Sequence, residues 1–283
     1  MNILITGEKG YIAEYLYNSL TRINEHYNVV KKSVKNGISK ESLKNIDVVV
    51  HLAALVHKKE MTELRQEYYK VNYLFTKELA TLAKEQGVKH FIFVSTMAVY
   101  GTSNSEIKEQ TPTIPTTFYG KSKLAAEDAL IHLQDEQFQV SIIRPPMVYG
   151  PNCPGNYSAL KKLSLSTPLF PQVNNKRSMI YIENLIEFIL QIIQYRDAGI
   201  FHPQDPQFIN TTSMVCTISK AHGKKIITTT VGATLIKLCI GQTGIYKKVF
   251  GDLYYCESLS SYRDNSYQKY NVEEAIEISE KEN

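Results

Sequence analysis

Tyr119 and Lys123 are the two residues whose types and spacing most directly suggest chemistry. They stand four apart in the run TPTTFYGKSKLAAEDAL, and the helix formers Leu124, Ala125, Ala126, Glu127, Ala129 and Leu130 that follow put both on one helix face. A phenol ionises near pH ~10, and an ammonium beside it favours the phenolate, drawing the group toward a pH at which it can pass a proton either way. Such a pair serves an alcohol/ketone redox step. With 19 tyrosines in the chain a Tyr-x-x-x-Lys is easily met by chance, so the weight falls on what accompanies it.

The amino terminus supplies the first companion. Asn2-Ile-Leu-Ile-Thr6 is a short apolar run that ends in Gly7, and Gly7-Glu-Lys-Gly10-Tyr11-Ile12-Ala13 leads into the amphipathic EYLYNSLTRI. Strand, tight glycine turn and helix are the setting in which backbone N–H groups and the positive end of a helix bind a pyrophosphate. Gly7 permits the turn, Gly10 lets the backbone approach the phosphates, and Ala13 stands where a third glycine lets helix and sheet pack closely. The plain alternative is an ordinary strand-to-helix turn.

A second strand is expected over Tyr27-Asn-Val-Val30, and at its end an NAD-binding protein places an acid for the adenosine ribose. Lys31-Lys32-Ser33 stands there instead. Two ammonium groups and a hydroxyl suit a 2′-phosphate, so these residues favour NADP(H), with NAD(H) as the alternative and a solvated charge cluster as the reading without a ligand.

The elements that must position these groups follow in order. Asp47-Val-Val-Val-His51-Leu52-Ala53-Ala54 reads as a buried strand ending in small residues, as where backbone passes close to a cofactor. His51 reads as a packed strand histidine, and His57, beside Lys58 and Lys59, as exposed. A helical pattern runs from about Met61 to Gln86. Lys89 to Thr96 gives a fourth strand, which delivers Ser95 and Thr96 to the sheet edge where open α/β folds bind ligands, although such hydroxyls also form turns. Gln139 to Arg144 is a further strand, closed by Pro145-Pro146.

This alternation predicts an α/β fold, a doubly wound, mostly parallel Rossmann sheet over residues 1–150. After Pro151 the texture changes to loops, short helices and prolines, marking 151–283 as a smaller C-terminal substrate lobe, with a helix over 183–196 returning to the first domain. A short strand is expected at Lys176–Ile182, a helical stretch at Ala233–Ile240 and a charged helix at the end.

Composition narrows the class. The 283 residues allow a large core, and a formal charge of +4 without a long basic run interleaved with aromatics speaks against a nucleic-acid partner. Cys153, Cys216, Cys239 and Cys256 are scattered without a C-x-x-C pair, which argues against a metal site and for a reducing compartment. MNILITG runs into the glycine turn without a secretory pattern, and the apolar run LIEFILQII is too short to cross a membrane. The expectation is a soluble cytoplasmic protein.

In its glycine loop, Thr96, Tyr119-x-x-x-Lys123 and RPPMVYGP run, the chain resembles the extended short-chain dehydrogenase/reductase family, in its epimerase/dehydratase branch. HLAALVH, RPPMVYGP, GNY at 155–157 and KRSMIYIENL resemble the subgroup of bacterial capsule and O-antigen clusters. By that resemblance Gly7, Gly10 and Ala13 fall on the pyrophosphate loop with Tyr11 and Ile12 against the cofactor. Leu52, Ala53, Ala54, Ser95 and Pro146 join them as cofactor contacts, and Asn72 matches the asparagine of V-N-x-x-G-T, whose glycine is Phe75 in this chain. Thr96 takes the place of the catalytic Ser or Thr, while Tyr119 and Lys123 match the family's pair. Asn156 and Arg177 align with positions that hold the substrate's nucleotide and diphosphate, and Arg263 or Asp264 in the tail would close on the nucleotide.

The resemblance implies a UDP-linked sugar as substrate and a homodimer. It makes the leading reading a UDP-4-keto-6-deoxy-N-acetylhexosamine reductase of surface polysaccharide synthesis. A UDP-hexose 4-epimerase uses the same residues but keeps NAD bound through the cycle, so the missing acid after Val30 tips the residues toward the reductase. A dehydratase needs an acid/base pair where Met97-Ala98 stands, and a non-catalytic dinucleotide-binding scaffold is the reading from a different class.

Overall fold

The computed structural model describes residues 1–23, 25–35, 37–56, 61–103, 105–230 and 250–281. His57, Lys58, Lys59 and the helical stretch expected at Ala233–Ile240 lie outside the described residues. The chain divides into two compact units, the first built of 1–101, 112–145 and 186–202, the second of 102–111, 146–185 and 203–283.

Strands β1 (Asn2–Thr6), β2 (Asn28–Lys32), β3 (Val48–His51) and β4 (His90–Val94) belong to the first unit. Past the two-residue β5 (Glu106–Ile107) of the second unit comes β6 (Gln139–Ile143); β7 (Met147–Tyr149), β8 (Leu169–Pro171) and β9 (Met179–Tyr181) are again in the second, and β10 (Gly199–Phe201) in the first. The main sheet has the order β10-β6-β4-β3-β1-β2 with every neighbouring pair parallel, the expected doubly wound arrangement. Each residue of β3 and β4 is buried, as strands covered on both faces must be. The order reverses between β1 and β3, and the carboxyl ends there, Thr6-Gly7 and His51-Leu52, form a topological switch point.

Helices α1 (Tyr11–Ile23), α2 (Arg65–Tyr69), α3 (Phe75–Glu85) and α4 (Phe118–Leu133) complete the first unit with part of α6 (Ile182–Tyr195). The core sets Val49, Phe91, Phe93, Val140 and Ile142 of the sheet against Leu79, Ala80 and Ala83 of α3 and Ala126 and Leu130 of α4. Each large apolar side chain so buried contributes roughly 1.5–3 kcal/mol. Two local differences from the sequence reading matter for function. The helix expected from 61 to 86 breaks into a 3-10 turn, α2, a π-helical turn at Lys70–Leu74 and α3. Strand β2 runs on through Lys31 and Lys32, because these residues pair with Ile5 and Thr6 of β1.

Among the described residues the second unit contains three small parallel pairs: β7 with β9, β8 with Ile227–Thr229, and β5 with Tyr254–Tyr255. Of the strand expected at Lys176–Ile182 only β9 is regular, and Arg177 makes isolated bridges to Ile209 and Leu253. Its described helices include α5 (Asn156–Ser166), the start of α6, α7 (Thr211–Ala221) and a closing helix, Val272–Lys281. Among the described residues no helix is long and apolar enough to cross a membrane and no side-chain group would hold a metal ion.

Glu280 of the closing helix ties this unit together. Its carboxylate accepts from Tyr157 Oη of α5 at 2.5 Å, pairs with Lys161 at 2.8 Å and meets His222, just past α7, at 2.6 Å. Burial alone would raise its pKa, but Lys161, Tyr157 and His222 outweigh that and hold it below the usual carboxylate value. A depressed acid stabilises the fold above its unfolded pKa and loses that contribution as pH falls through the folded one. Glu280→Gln is therefore expected to cost about 2–4 kcal/mol at pH 7, measured by denaturant unfolding, with the difference from wild type shrinking below about pH 4.

Candidate active site

The glycine turn closes tightly on the end of β3. Gly7 sits at φ +86° with its N–H donating to Lys32 O (3.1 Å), and a Cβ there would come within 3.1 Å of Ala53 N. Gly10 N donates to Gly7 O at 2.7 Å, and a Cβ on Gly10 would stand 3.0 Å from that same oxygen. Helix α1 starts at Tyr11, whose ring lies 5.0 Å from that of Tyr15, and Ala13 is fully buried. A cradle without room for side chains, opening on fresh helical N–H groups at a switch point, fits a dinucleotide pyrophosphate. Gly7, Gly10, Tyr11, Ile12, Ala13 and the Leu52-Ala53-Ala54 backbone are brought together there.

The lysines of β2 are already engaged. Lys31 Nζ pairs with Glu14 of α1 at 2.5 Å and lies 4.5 Å from the Tyr17 ring centroid, and Lys32 Nζ donates to Ser42 Oγ at 2.7 Å. Ser33 follows just outside the strand.

Thr96 and Tyr119 meet. Thr96 is extended, with its Oγ1 accepting from Ala98 N (3.1 Å) to cap the 3-10 turn Met97–Tyr100, and its hydroxyl stands close enough to the Tyr119 phenol to favour the phenolate. Helix α4 is capped by Thr117 Oγ1, which accepts from Gly120 N at 3.0 Å. Gly120 makes the meeting sterically feasible: a Cβ on it would stand 2.7 Å from Ala98 O. Burial pushes the Tyr119 phenol well above its usual pKa, the Thr96 hydroxyl pulls it back in part, and Tyr68, edge-on at 6.4 Å, adds to the rise.

Lys123 shares the helix face but not the expected task. It is 2 % exposed, with Nζ donating to Val94 O at 2.7 Å and lying 3.8 Å over the Phe93 ring. Burial brings its pKa down to about 7 against the opposing charge of Glu127. The groups that act on the phenol are thus burial, Thr96 and Tyr68, whereas the sequence reading assigned the tuning to the ammonium.

Several supporting residues escaped the sequence reading. Glu127, one turn beyond Lys123, is fully buried and accepts from Arg144 Nε (3.1 and 3.2 Å), from Arg144 Nη2 (2.6 Å) and from Ser95 Oγ. Arg144 Nη1 donates to Tyr100 Oη at 2.7 Å, and Tyr100 Oη meets His202 Nε2 at 2.8 Å. Ser95 and Tyr100 thus brace both sides of Thr96. Asn72, in the π turn, accepts from Leu55 N (2.7 Å) and donates to Leu55 O and to Ser122 Oγ (both 3.1 Å). Position i+4 from Lys123 and the end of the strand before Pro145-Pro146 were the available signals for Glu127 and Arg144.

The remaining candidates lie in the second unit. Pro146 is buried just ahead of β7, and Asn156 opens α5 after Gly155 at φ +85°. Arg177 Nη1 donates to Gly251 O at 2.8 Å; burial lowers its pKa against the charge of Asp252. Arg263, Asp264 and Asn265 form a turn with φ of 43°, 53° and 56°, in which Arg263 Nε donates to Tyr262 Oη at 3.2 Å.

Residues 3–202 match the sequence pattern of the NAD dependent epimerase/dehydratase family. The chain belongs to that family. It is 32% identical to a UDP-glucose 4-epimerase of Vibrio cholerae, over 76% of this chain and 74% of that protein. Among solved structures it is similar to the UDP-glucuronic acid 4-epimerase of Bacillus cereus in complex with NAD (TM-score 0.81, 20% identity, 100% and 96% of the two chains covered). It is also similar to the dTDP-4-dehydrorhamnose reductase of Bacillus anthracis in complex with NADP (TM-score 0.67, 17% identity, 93% and 88% covered).

The family's dinucleotide corrects one expectation. Similar structures containing NAD reach TM-scores of 0.72–0.81, above the NADP-bound reductase. NADP(H) as the favoured cofactor is overturned, and the pairing of Lys31 with Glu14 and of Lys32 with Ser42 gives the physical reason, since neither ammonium is left waiting for a 2′-phosphate.

The Gly120 contact yields a test. Gly120→Ala must move α4 off the Met97–Tyr100 turn and part Thr96 from Tyr119; because a misplacement of ~1 Å can cost ~100-fold, kcat is expected to fall about that much while NAD+ affinity stays within about twofold. Steady-state kinetics and calorimetry on the variant check both halves.

Proposed function

We propose that the chain is an NAD-dependent UDP-hexose 4-epimerase. The observation that carries the reading is Thr96 beside the Tyr119 phenol with Lys123 one helical turn on, at the carboxyl edge of a parallel sheet whose first turn is shaped as a pyrophosphate cradle. The activity of the Vibrio cholerae relative supports it. Met97-Ala98 after Thr96 offers no carboxylates for a dehydration, and the reductase reading leaned on an NADP(H) preference that the paired lysines remove.

Gly7, Gly10, Tyr11, Ile12 and Ala13 would hold the dinucleotide, with Leu52 to Ala54 beneath it and Lys123 toward its ribose. When bound, the nicotinamide supplies the hydride acceptor and donor for sugar carbon 4. Tyr119 would take the proton of the 4-hydroxyl as that carbon becomes a carbonyl and return it to the same oxygen when the carbonyl is reduced on its opposite face. Burial keeps the phenol protonated at rest, so the oxidising half needs the phenolate that the nearby Thr96 hydroxyl favours. Thr96 holds the same sugar oxygen as charge develops on it. Arg177 and Asn156 would anchor the diphosphate and nucleotide, supplying binding energy remote from the reacting carbon, with Arg263 as a further contact.

Incubation of the purified chain with UDP-glucose and a trace of NAD+, followed by proton NMR of the sugar, is expected to give UDP-galactose without net change in nicotinamide. Failure to interconvert any UDP-hexose overturns the reading, and turnover of a UDP-4-keto sugar only with stoichiometric NADH replaces it with the reductase. Tyr119→Phe should lower kcat by ~10²–10⁴ and leave NAD+ binding within about twofold; near-normal turnover would exclude Tyr119 as the proton carrier.

A further inference from the structure

His51 ends β3 at the switch point and is fully buried, its ring stacked on Phe93 at 5.7 Å. Its two nitrogens are held by hydroxyls from opposite sides, Nδ1 by Thr6 Oγ1 at 2.7 Å and Nε2 by Thr76 Oγ1 at 2.9 Å. The direction of these bonds follows from what surrounds them. Thr6 Oγ1 already accepts from two successive backbone groups, Leu52 N (3.2 Å) and Ala53 N (3.3 Å). Both its lone pairs are occupied, so its proton points to His51 Nδ1. At the other end the Thr76 hydroxyl donates to Asn72 O at 2.8 Å, so Thr76 Oγ1 accepts from His51 Nε2–H.

The chain continues through Asn72. Its side chain holds Leu55 by N and O and donates to Ser122 Oγ, which donates in turn to Tyr119 O at 2.8 Å. One polar path therefore links the backbone that closes on Gly7 to the first turn of the helix bearing Tyr119.

We propose that His51 is a positioning residue for the dinucleotide site: as the neutral Nε2–H tautomer it orders a one-way hydrogen-bond chain that fixes the Leu52-Ala53 backbone against the Gly7 turn. The ligand half of this inference rests on the dinucleotide reading of the glycine cradle. A charged ring would carry a proton on Nδ1 and force the Thr6 hydroxyl to accept there, releasing one of the two N–H groups it now satisfies. Burial and the charge of Lys123 bring the His51 pKa down to about 3, which keeps the ring neutral at working pH. The tight approach of Gly7 to Ala53 N makes any drift of that backbone felt at the pyrophosphate turn.

The test uses the full chain. Nitrogen-15 NMR of the histidine rings in the ligand-free protein at pH 7 is expected to show His51 neutral and protonated on Nε2; an Nδ1–H tautomer or a charged ring overturns the proposal. Calorimetry with NAD+ supplies the second readout. His51→Phe keeps the ring volume and removes both bonds, and should weaken binding about tenfold. His51→Gln offers an acceptor and a donor again and should return affinity to within about threefold of wild type. Wild-type affinity in His51→Phe, or no recovery in His51→Gln, overturns the assignment. Should His51→Phe not fold, Thr76→Val breaks the chain without touching the ring and is expected to weaken NAD+ binding about threefold; unchanged affinity there is equally fatal. Because the tautomer is read without ligand, a wild-type chain that fails to bind NAD+ counts against the cofactor reading separately.

Discussion

The approach of the Thr96 hydroxyl to the Tyr119 phenol is the constraint that the rest of the first unit is arranged to hold. Each partner comes from a different element, one from the end of a buried strand and the other from the first turn of a helix, so their meeting depends on how closely α4 approaches the Met97–Tyr100 turn. Gly120 permits that approach, Thr117 fixes where the helix starts, and Ser122 ties its first turn to Asn72. Burial pushes Tyr119 and Lys123 toward their uncharged forms from opposite directions. The Thr96 hydroxyl works against that tendency at the phenol, and Glu127 works against it at the amine.

Beneath the pair lies a second layer that carries charge. Arg144 and Glu127 are both buried, and a pair of this kind stabilises less than its distances suggest, because both charges have left water. Its effect is geometric: Glu127 holds Ser95, Arg144 holds Tyr100, and between these flanks Thr96 has little freedom. Removing either charge would strand the other, which is why such a network constrains the site above it.

What could be read in advance was local. The glycine turn, the strand-end hydroxyl and the Tyr-x-x-x-Lys spacing are all contained in short runs, and the alternation of strand and helix was enough to foresee the parallel sheet. The misreadings came from partners distant in the chain. Lys31 and Lys32 looked available for a phosphate because Glu14 on α1 and Ser42 beyond β2 are invisible to a reading of the strand end. His51 reads from the sequence as a packed strand histidine, which its burial bears out, and Thr6 and Thr76, 45 and 25 residues away, add the hydrogen bonds that make it a junction. The π turn at Asn72 was hidden inside a continuous helical pattern, and side-chain bonds to Leu55 and Ser122 now account for its place.

Two chemistries can be built on a tyrosine and a nicotinamide, and they differ in the fate of one hydrogen. An epimerase returns to carbon 4 the hydride it removed, so UDP-glucose deuterated at that carbon and converted in ordinary water should give UDP-galactose that keeps its label there. Mass spectrometry and NMR of the product read this directly. Loss of the label from carbon 4, or solvent hydrogen entering carbon 3 or 5, would contradict the account.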